Sequence, residues 1–315
     1  MSREALAIAR QTFLEVVRQP VHCVVVLATL GAYALSPHIA LFSLREEGRL
    51  LDEFGTSTVL LAGWALTCLA ASGVVRREIE TRTALTLLSK PVSRGAFLAG
   101  KFLGVAGFLG LATWTFTVAL LLVDRRGPVA FGAPDLPVAA AGFGGFAAGL
   151  LAAVARHHRG GRPFSSSLLG SLAVTLTCGW AAAGFFAPDG TLQTFGQGYD
   201  PLIAASALLA FLAVAILAAF AVSISAWTGR GGTFVVTGFF FVAGLAVGSL
   251  PPPAAPWRAL LFWIPDLALF WTGDLFYTDG AGVPPLDILL ATVTAALYSG
   301  AFLALGTWLL SRKGL

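Results

Sequence analysis

The chain has 315 residues, of which 57% are hydrophobic and only 11% are charged, with a formal net charge of +4. A soluble domain carries roughly 25% charged residues, so a soluble fold of this composition could not cover its surface with polar groups. A bilayer removes that requirement because lipid replaces water around the helices. The composition therefore excludes an ordinary soluble enzyme or nucleic-acid-binding domain and predicts an integral membrane protein.

The N-terminal segment, residues 2–19, carries charges throughout and so lacks the uncharged core of a signal peptide. Its residues alternate with the period of an α-helix. The apolar face is formed by Leu6, Ala9, Phe13, Val16 and Val17, and the polar face by Glu4, Gln11, Glu15 and Arg18. The pattern predicts an amphipathic helix that lies in the membrane interface.

A helix needs about 20 apolar residues to cross the hydrocarbon layer, and eight segments meet this requirement. They are 20–42, 56–75, 96–123, 136–155, 164–186, 201–227, 233–250 and 286–310. The stretch 251–285 is aromatic but is interrupted by Pro265, Asp266 and Asp274. We expect one or two short interfacial or re-entrant helices within 256–277; the alternative is a ninth span.

The distribution of charge indicates the orientation. With eight spans and a cytoplasmic N-terminus, 15 of the 20 basic residues fall in cytoplasmic segments, whereas 12 of the 16 acidic residues fall on the outer side. This asymmetry follows the positive-inside rule. It predicts that both chain ends are cytoplasmic. Because most basic residues are arginine and Ala and Gly are abundant, the composition is typical of a GC-rich bacterial genome, which favours a bacterial cytoplasmic (inner) membrane.

The motifs of catalysis and cofactor binding are absent from the sequence. It contains no GxxxxGK[ST], HExxH, GxSxG or dinucleotide-binding motif. Cys23, Cys68 and Cys178 lack the spacing of metal ligands. The centres of the spans contain no Asp or Glu, which disfavours an ion-coupled carrier. We therefore expect no catalytic residue, no metal site and no cofactor bound by this chain. For the loop that holds His157 and His158, we prefer a topology-fixing role over a metal or phosphate site.

The cytoplasmic segment 76–94 has a pattern of its own. Glu78 and Arg82 stand at i, i+4 with the acid first, the favourable order on a helix. Pro91 ends this helix, and Ser93 is placed to cap the next one. A short, highly charged helix between two spans is typical of a docking element for a soluble partner.

The same region resembles a known family. Residues 87–94 read L-L-S-K-P-V-S-R and residues 97–104 read F-L-A-G-K-F-L-G. These runs are similar to the signature of ABC-2 type transporter permeases, most of all to the multi-copper-enzyme-maturation-like subfamily. The N-terminal helix resembles the elbow helix of that family. The stretch from Ile264 to Phe270 resembles its Asn-Pro stretch, with Ile264 in place of the asparagine.

The resemblance implies the permease subunit of an ABC transporter, and the family pattern favours an exporter. ATP and Mg²⁺ would be used by a separate ATPase subunit. The resemblance also implies a single permease domain, 1–315, with a six-span core and a two-span insertion at 129–197. Two permease chains, identical or different, would pair in the bilayer. The coupling helix, 76–94, would contact the ATPase through Arg76, Arg77, Glu78, Glu80 and Arg82.

Two other functions stay open from the sequence. One is an autonomous carrier or channel, which would transport without an ATPase. The other is a membrane scaffold or assembly factor for metalloenzyme maturation. The substrate is not indicated by any residue pattern.

Overall fold

The computed structural model describes residues 3–39, 47–74, 93–126, 135–225, 227–249, 263–278 and 282–312. Within these ranges the chain forms nine α-helices and one isolated β-bridge, between Phe186 and Leu192. The helices are α1 (Arg3–Val17), α2 (Pro20–Ile39), α3 (Glu47–Val74), α4 (Arg94–Arg126), α5 (Leu136–Gly160), α6 (Phe164–Ala183), α7 (Pro201–Ile224), α8 (Arg230–Val247) and α9 (Pro285–Arg312).

The helices confirm the polytopic all-α fold. Seven of them, α2 to α7 and α9, are long and apolar enough to cross a membrane. The eighth predicted span corresponds to α8, whose apolar part, Gly231–Val247, is shorter. At 1.5 Å per residue the 18 residues of α8 extend about 27 Å, slightly less than the thickness of a typical hydrocarbon core.

Successive helices from α2 onwards run in alternating directions. The phenol of Tyr33 in α2 donates to the carbonyl of Gly55 at the start of α3, 3.0 Å away. Near the other end of the bundle, Gly306 of α9 lies against Leu98 of α4 and Ser223 of α7. Both ends of the described chain, in α1 and α9, therefore lie at the same end of the bundle.

The charges separate between the two ends. One end, the basic end, carries Arg3, Arg10, Arg18, Arg94, Lys101, Arg156, Arg159, Arg162 and Arg312, with Glu4 and Glu15. The opposite end, the acidic end, carries Asp52, Glu53, Asp124, Asp135, Asp189, Asp200, Asp266, Asp274 and Asp287, with Arg49 and Arg125. Because the helices alternate in direction, the basic and acidic segments of the sequence lie at opposite ends of the bundle.

Helix α7 lies at the centre of the bundle and packs against α3, α4 and α9. Its sequence is dominated by Ala and Leu, and most of its residues are buried. Small residues bring its neighbours close: Gly63 of α3 lies against Val214, and the hydroxyl of Ser223 donates to the carbonyl of Phe302 in α9 at 2.8 Å. Close packing of this kind is how helices associate within lipid.

Helices α5 and α6 form an antiparallel hairpin within the segment predicted to be an insertion, 129–197. Gly145 and Gly149 of α5 lie against α6, where the hydroxyl of Ser171 donates to the carbonyl of Gly149 at 2.9 Å. The hairpin packs on α4, and the indole of Trp114 donates to the hydroxyl of Thr177 at 2.9 Å. That the hairpin is an insertion stays a prediction.

Residues 263–278 form two short 3-10 helices, Leu267–Phe270 and Gly273–Tyr277, rather than a ninth span. Asp266 caps the first by accepting from the amide of Ala268 at 3.0 Å. Gly244 and Gly248 of α8 give this segment room to approach. Two short helices are therefore observed in the described part of 256–277, and their interfacial or re-entrant position stays a prediction.

Candidate functional site at the basic end

The five predicted ATPase-coupling residues, Arg76, Arg77, Glu78, Glu80 and Arg82, lie outside the described residues. Of the predicted coupling helix, 76–94, the structure describes Ser93 and Arg94 only. The assignment of these residues therefore stays a prediction. The structure describes the helices on either side of them, α3 and α4.

The segment 75–92 is attached to the rest of the chain at the end of α3 and at the start of α4, and both attachments lie at the basic end. Val74, the last residue of α3, is fully buried. A methyl group added at the neighbouring Gly73 would lie 3.7 Å from Nε2 of the Gln19 side chain, and Gln19 follows α1. At the other attachment, the hydroxyl of Ser93 accepts from the amide of Ala96 at 3.2 Å, as the sequence predicted for a cap.

The N-terminal helix α1 packs along the first third of α4. A methyl group added at Gly100 would lie 2.8 Å from the carbonyl oxygen of Ala5, and one added at Gly104 would lie 2.6 Å from that of Ala9. The two glycines therefore allow direct backbone approach. Since α4 has 33 residues, or about 50 Å, it exceeds a hydrocarbon core by roughly 20 Å.

The buried face of α1 overlaps the predicted apolar face at Val16 and Val17 but also includes small residues. Ala5, Thr12, Val16 and Val17 are buried, whereas Leu6 is 60% exposed. The reason is the glycine surface of α4, which accepts small residues at close range. Leu6 is left on a lipid- or partner-facing surface, where an apolar side chain is equally suitable.

The junction between α1 and α2 is held by hydrogen bonds from two directions. The Nδ1 of His22 donates to the carbonyl of Val16 at 2.7 Å. From α6, the hydroxyl of Ser165 donates to the carbonyl of Arg18 at 2.6 Å, and the thiol of Cys23 donates to the carbonyl of Ser165 at 3.4 Å. A movement of α1 is therefore mechanically linked to α6.

The polar face of α1 borders an open hollow of about 750 Å³. Its lining is Ala7, Arg10, Gln11, Leu14, Glu15, Arg18, Gln19 and Pro20. Gln19, which lines the hollow, also lies near Gly73 at the end of α3, so the hollow is close to the point where the segment 75–92 leaves α3.

Lys101 is a buried cation that hydropathy did not reveal. It is 1% exposed in α4, and its Nζ lies 5.7 Å from the centroid of the Phe97 ring. A buried lysine is costly unless its charge is paired, so Lys101 distinguishes this part of α4 from the rest of its apolar surface.

Arg125 forms a buried ionic contact at the acidic end. Its Nε donates to Asp135 at 3.1 Å, and the exposed fractions of the two side chains are 3% and 4%. The same guanidinium donates to the carbonyls of Ala183 and Phe186 and lies over the ring of Tyr199. It thereby joins the end of α4 to both helices of the hairpin.

The loop between α6 and α7 is ordered by turns. Asp189 accepts from the amide and the hydroxyl of Thr191 at 2.9 Å and 2.7 Å, and these bonds lower the pKa of its carboxyl. The phenol of Tyr199 donates to the carbonyl of Trp180 at 3.0 Å. Burial raises the pKa of Tyr199, and the nearby charge of Arg125 opposes that increase.

Asp52 of α3 is 8% exposed, and its carboxyl contacts that of Asp124 in α4, with Asp200 close by. Hydropathy placed these residues at span ends but could not show that they meet. Among the described residues, no group of three or more His, Cys, Asp or Glu side chains is arranged to hold a metal ion.

Part of the sequence matches a known protein family. Residues 6–157 match the family model described as ABC-2 family transporter protein. Over these residues, a little under half of the chain, the sequence is similar to the ABC-2 transporter family. No curated protein matches the chain.

The ABC-2 match runs from α1 into α5 and so includes the α1–α4 contact, both attachments of the segment 75–92, and the predicted coupling residues. It also covers the first helix of the hairpin, and the subfamily is not determined by it. Together with the apolar helices, the match supports a multi-pass membrane permease of the ABC-2 transporter type.

Proposed function

We propose that this chain is the permease subunit of an ABC exporter, in which a separate ATPase chain supplies the energy of ATP hydrolysis. The single observation that carries the proposal is the ABC-2 family match over residues 6–157, the region that contains the charged segment 76–94 and the elbow-like helix. ABC-2 permeases work with ABC ATPase partners in general.

The arrangement of the basic end supports a coupling role. The segment 75–92 begins after α3 and ends before α4, two helices that both contact the central helix α7. Helix α1 rests on α4 through Gly100 and Gly104. A force applied to the segment or to α1 would therefore act directly on the helices of the core.

In this mechanism Arg76, Arg77, Glu78, Glu80 and Arg82 contact the ATPase, and two permease chains pair in the bacterial inner membrane. Closure of the ATPase dimer on ATP moves the coupling helix and α1. The resulting movement of α3 and α4 opens a route for the substrate, whose identity is left open.

The test is co-purification of the chain with a co-expressed ABC ATPase from the same genome. The variant Glu78→Lys with Glu80→Lys reverses two charges in the predicted coupling helix and should reduce the amount of bound ATPase by at least about tenfold, as expected when close charge pairs across an interface become repulsive. The matched control is Asp274→Lys with Asp287→Lys, which reverses two exposed charges at the acidic end.

Equal recovery of the ATPase with both double variants would show that the coupling assignment is wrong. Transport by the purified chain in liposomes without any ATPase would instead identify an autonomous carrier. A stable complex whose ATPase is active but which moves no substrate would identify a scaffold.

A further inference from the structure

A cavity of about 360 Å³ opens at the basic end between α1, α4 and α6. Its lining combines two chemistries. Arg18, Arg156 and Arg162 carry positive charge at its mouth, together with Pro163, Ser166 and Ser167, and its apolar wall is formed by Phe13, Leu14, Val17, Leu111 and Gly170.

Within the described residues, no carboxylate balances the positive charge of the polar mouth. In the part of the chain that the structure describes, Arg18, Arg156 and Arg162 have no carboxylate within ion-pair distance. Helix α6 begins after Pro163, which lines the cavity, and no side chain caps the amide groups of its first turn. The start of a helix favours a negatively charged ligand.

Ser167 adds an independent observation. It is 4% exposed and lines the cavity, and its hydroxyl has no hydrogen-bond partner among the described residues. A buried hydroxyl without a partner is costly, and a ligand oxygen in the cavity would satisfy it. The neighbouring Ser165 and Ser166 both have carbonyl partners.

The apolar wall determines what kind of anion fits. Leu111 lies near the middle of α4, so the cavity extends from the charged end towards the depth of the acyl chains. Nothing occupies the space beside Gly170, where an added methyl group would meet no atom within 4 Å. A free phosphate ion would use the mouth only, whereas a phospholipid would fill both parts.

We propose that this cavity binds one anionic phospholipid, with the phosphate at Arg18, Arg156, Arg162 and Ser167 and an acyl chain along the wall at Gly170. Basic pockets between membrane helices on the cytoplasmic side suit anionic headgroups. The bound lipid would join α1 to the α5–α6 hairpin. This inference does not depend on the proposed transport function.

The test is native mass spectrometry of the full chain extracted from bilayers that contain phosphatidylglycerol and phosphatidylcholine. We expect one retained phosphatidylglycerol molecule and no retained phosphatidylcholine. Each basic side chain near an anionic headgroup contributes roughly a factor of five in affinity, so Arg156→Gln with Arg162→Gln should lower retention about 25-fold. Arg156→Lys with Arg162→Lys should restore most of it.

Two further variants separate the alternatives. Arg3→Gln with Arg312→Gln removes two exposed charges from the same end, outside the cavity, and should leave retention unchanged. Gly170→Phe should fill the apolar wall and reduce retention of phosphatidylglycerol while binding of inorganic phosphate, measured by calorimetry, is unaffected.

Equal loss of lipid in the two arginine-to-glutamine double variants would overturn the proposal, because it would indicate general surface attraction. Binding of inorganic phosphate with no retained lipid would overturn it in favour of a free-anion site. Loss of the ATPase partner rather than of lipid in Arg156→Gln with Arg162→Gln would identify a protein-docking surface instead.

Discussion

The Nε of Arg125 at the end of α4 lies 3.1 Å from Oδ2 of Asp135 at the start of α5, and both side chains are almost fully buried. Asp135 also caps α5 through the amide of Val138, at 3.0 Å. The pair closes the junction between the four N-terminal helices and the hairpin. It accounts for how a peripheral hairpin keeps a defined position beside α4.

Asp135→Asn should remove the ion pair with Arg125 and keep the helix cap, because asparagine caps a helix about as well as aspartate. Removing one partner of a buried pair costs about 3–5 kcal/mol, so thermal unfolding in detergent should occur at a clearly lower temperature. The control is Asp200→Asn, since Asp200 caps α7 at the same end but is near Asp52 and Asp124. Similar unfolding temperatures for the two variants would contradict the importance of the ion pair.

Gly104→Val should displace α1 from α4. The first added carbon would lie 2.5 Å from Cβ of Thr12, and overpacking of this kind costs about 1–3 kcal/mol. We expect faster hydrogen–deuterium exchange throughout α1. Gly142→Ala is the control, because nothing lies within 4 Å of its added carbon; unchanged exchange in the Gly104 variant would mean that α1 is not held by this contact.

Ser165→Ala should loosen the junction between α1 and α2 by removing the hydrogen bond to the carbonyl of Arg18. The expected loss is about 1 kcal/mol, with faster exchange at residues 16–22. Ser166→Ala removes a hydroxyl that bonds only to Pro163, three residues away, and should leave that exchange rate unaltered. If both variants behave alike, the connection from α6 to the junction has no mechanical role.

Stability at high pH should depend on Tyr199. Because its pKa is raised in the folded protein, the folded state holds its proton more tightly than the unfolded state. Its contribution is therefore present below the unfolded pKa of about 10 and is lost as the pH rises beyond that value. Tyr199→Phe should unfold at a temperature that varies less between pH 9 and pH 11; an unchanged profile would assign the alkaline loss to other groups.

The orientation can be tested by cysteine labelling in a background with Cys178 replaced by Ser, because Cys178 is exposed whereas Cys23 and Cys68 are buried. The positive-inside rule places the basic end in the cytoplasm. An impermeant maleimide should label Asp189→Cys in intact cells and Arg159→Cys only after permeabilisation. The reverse pattern would place the segment 76–94 on the outer face and exclude its contact with a cytoplasmic ATPase.

Hydropathy alone located the membrane helices approximately, although it counted the shorter α8 as a full span. Apolar length is a local property, so α2 to α7 and α9 appear where the sequence predicted them. The cap at Ser93 and the short helices after Trp263 are also local features. The separation of charge between the two ends followed from helix count and direction.

Contacts between distant residues were decided only by the tertiary structure. In a bilayer, both packed and lipid-facing surfaces are apolar, so sequence does not distinguish them well. This is why the sequence grouped Leu6 with Val16 and Val17 on one apolar face, although Val16 and Val17 pack inside the bundle and Leu6 is exposed. It is also why Arg125 with Asp135, and the meeting of Arg18 with Arg156 and Arg162, could be found only once the helices were packed.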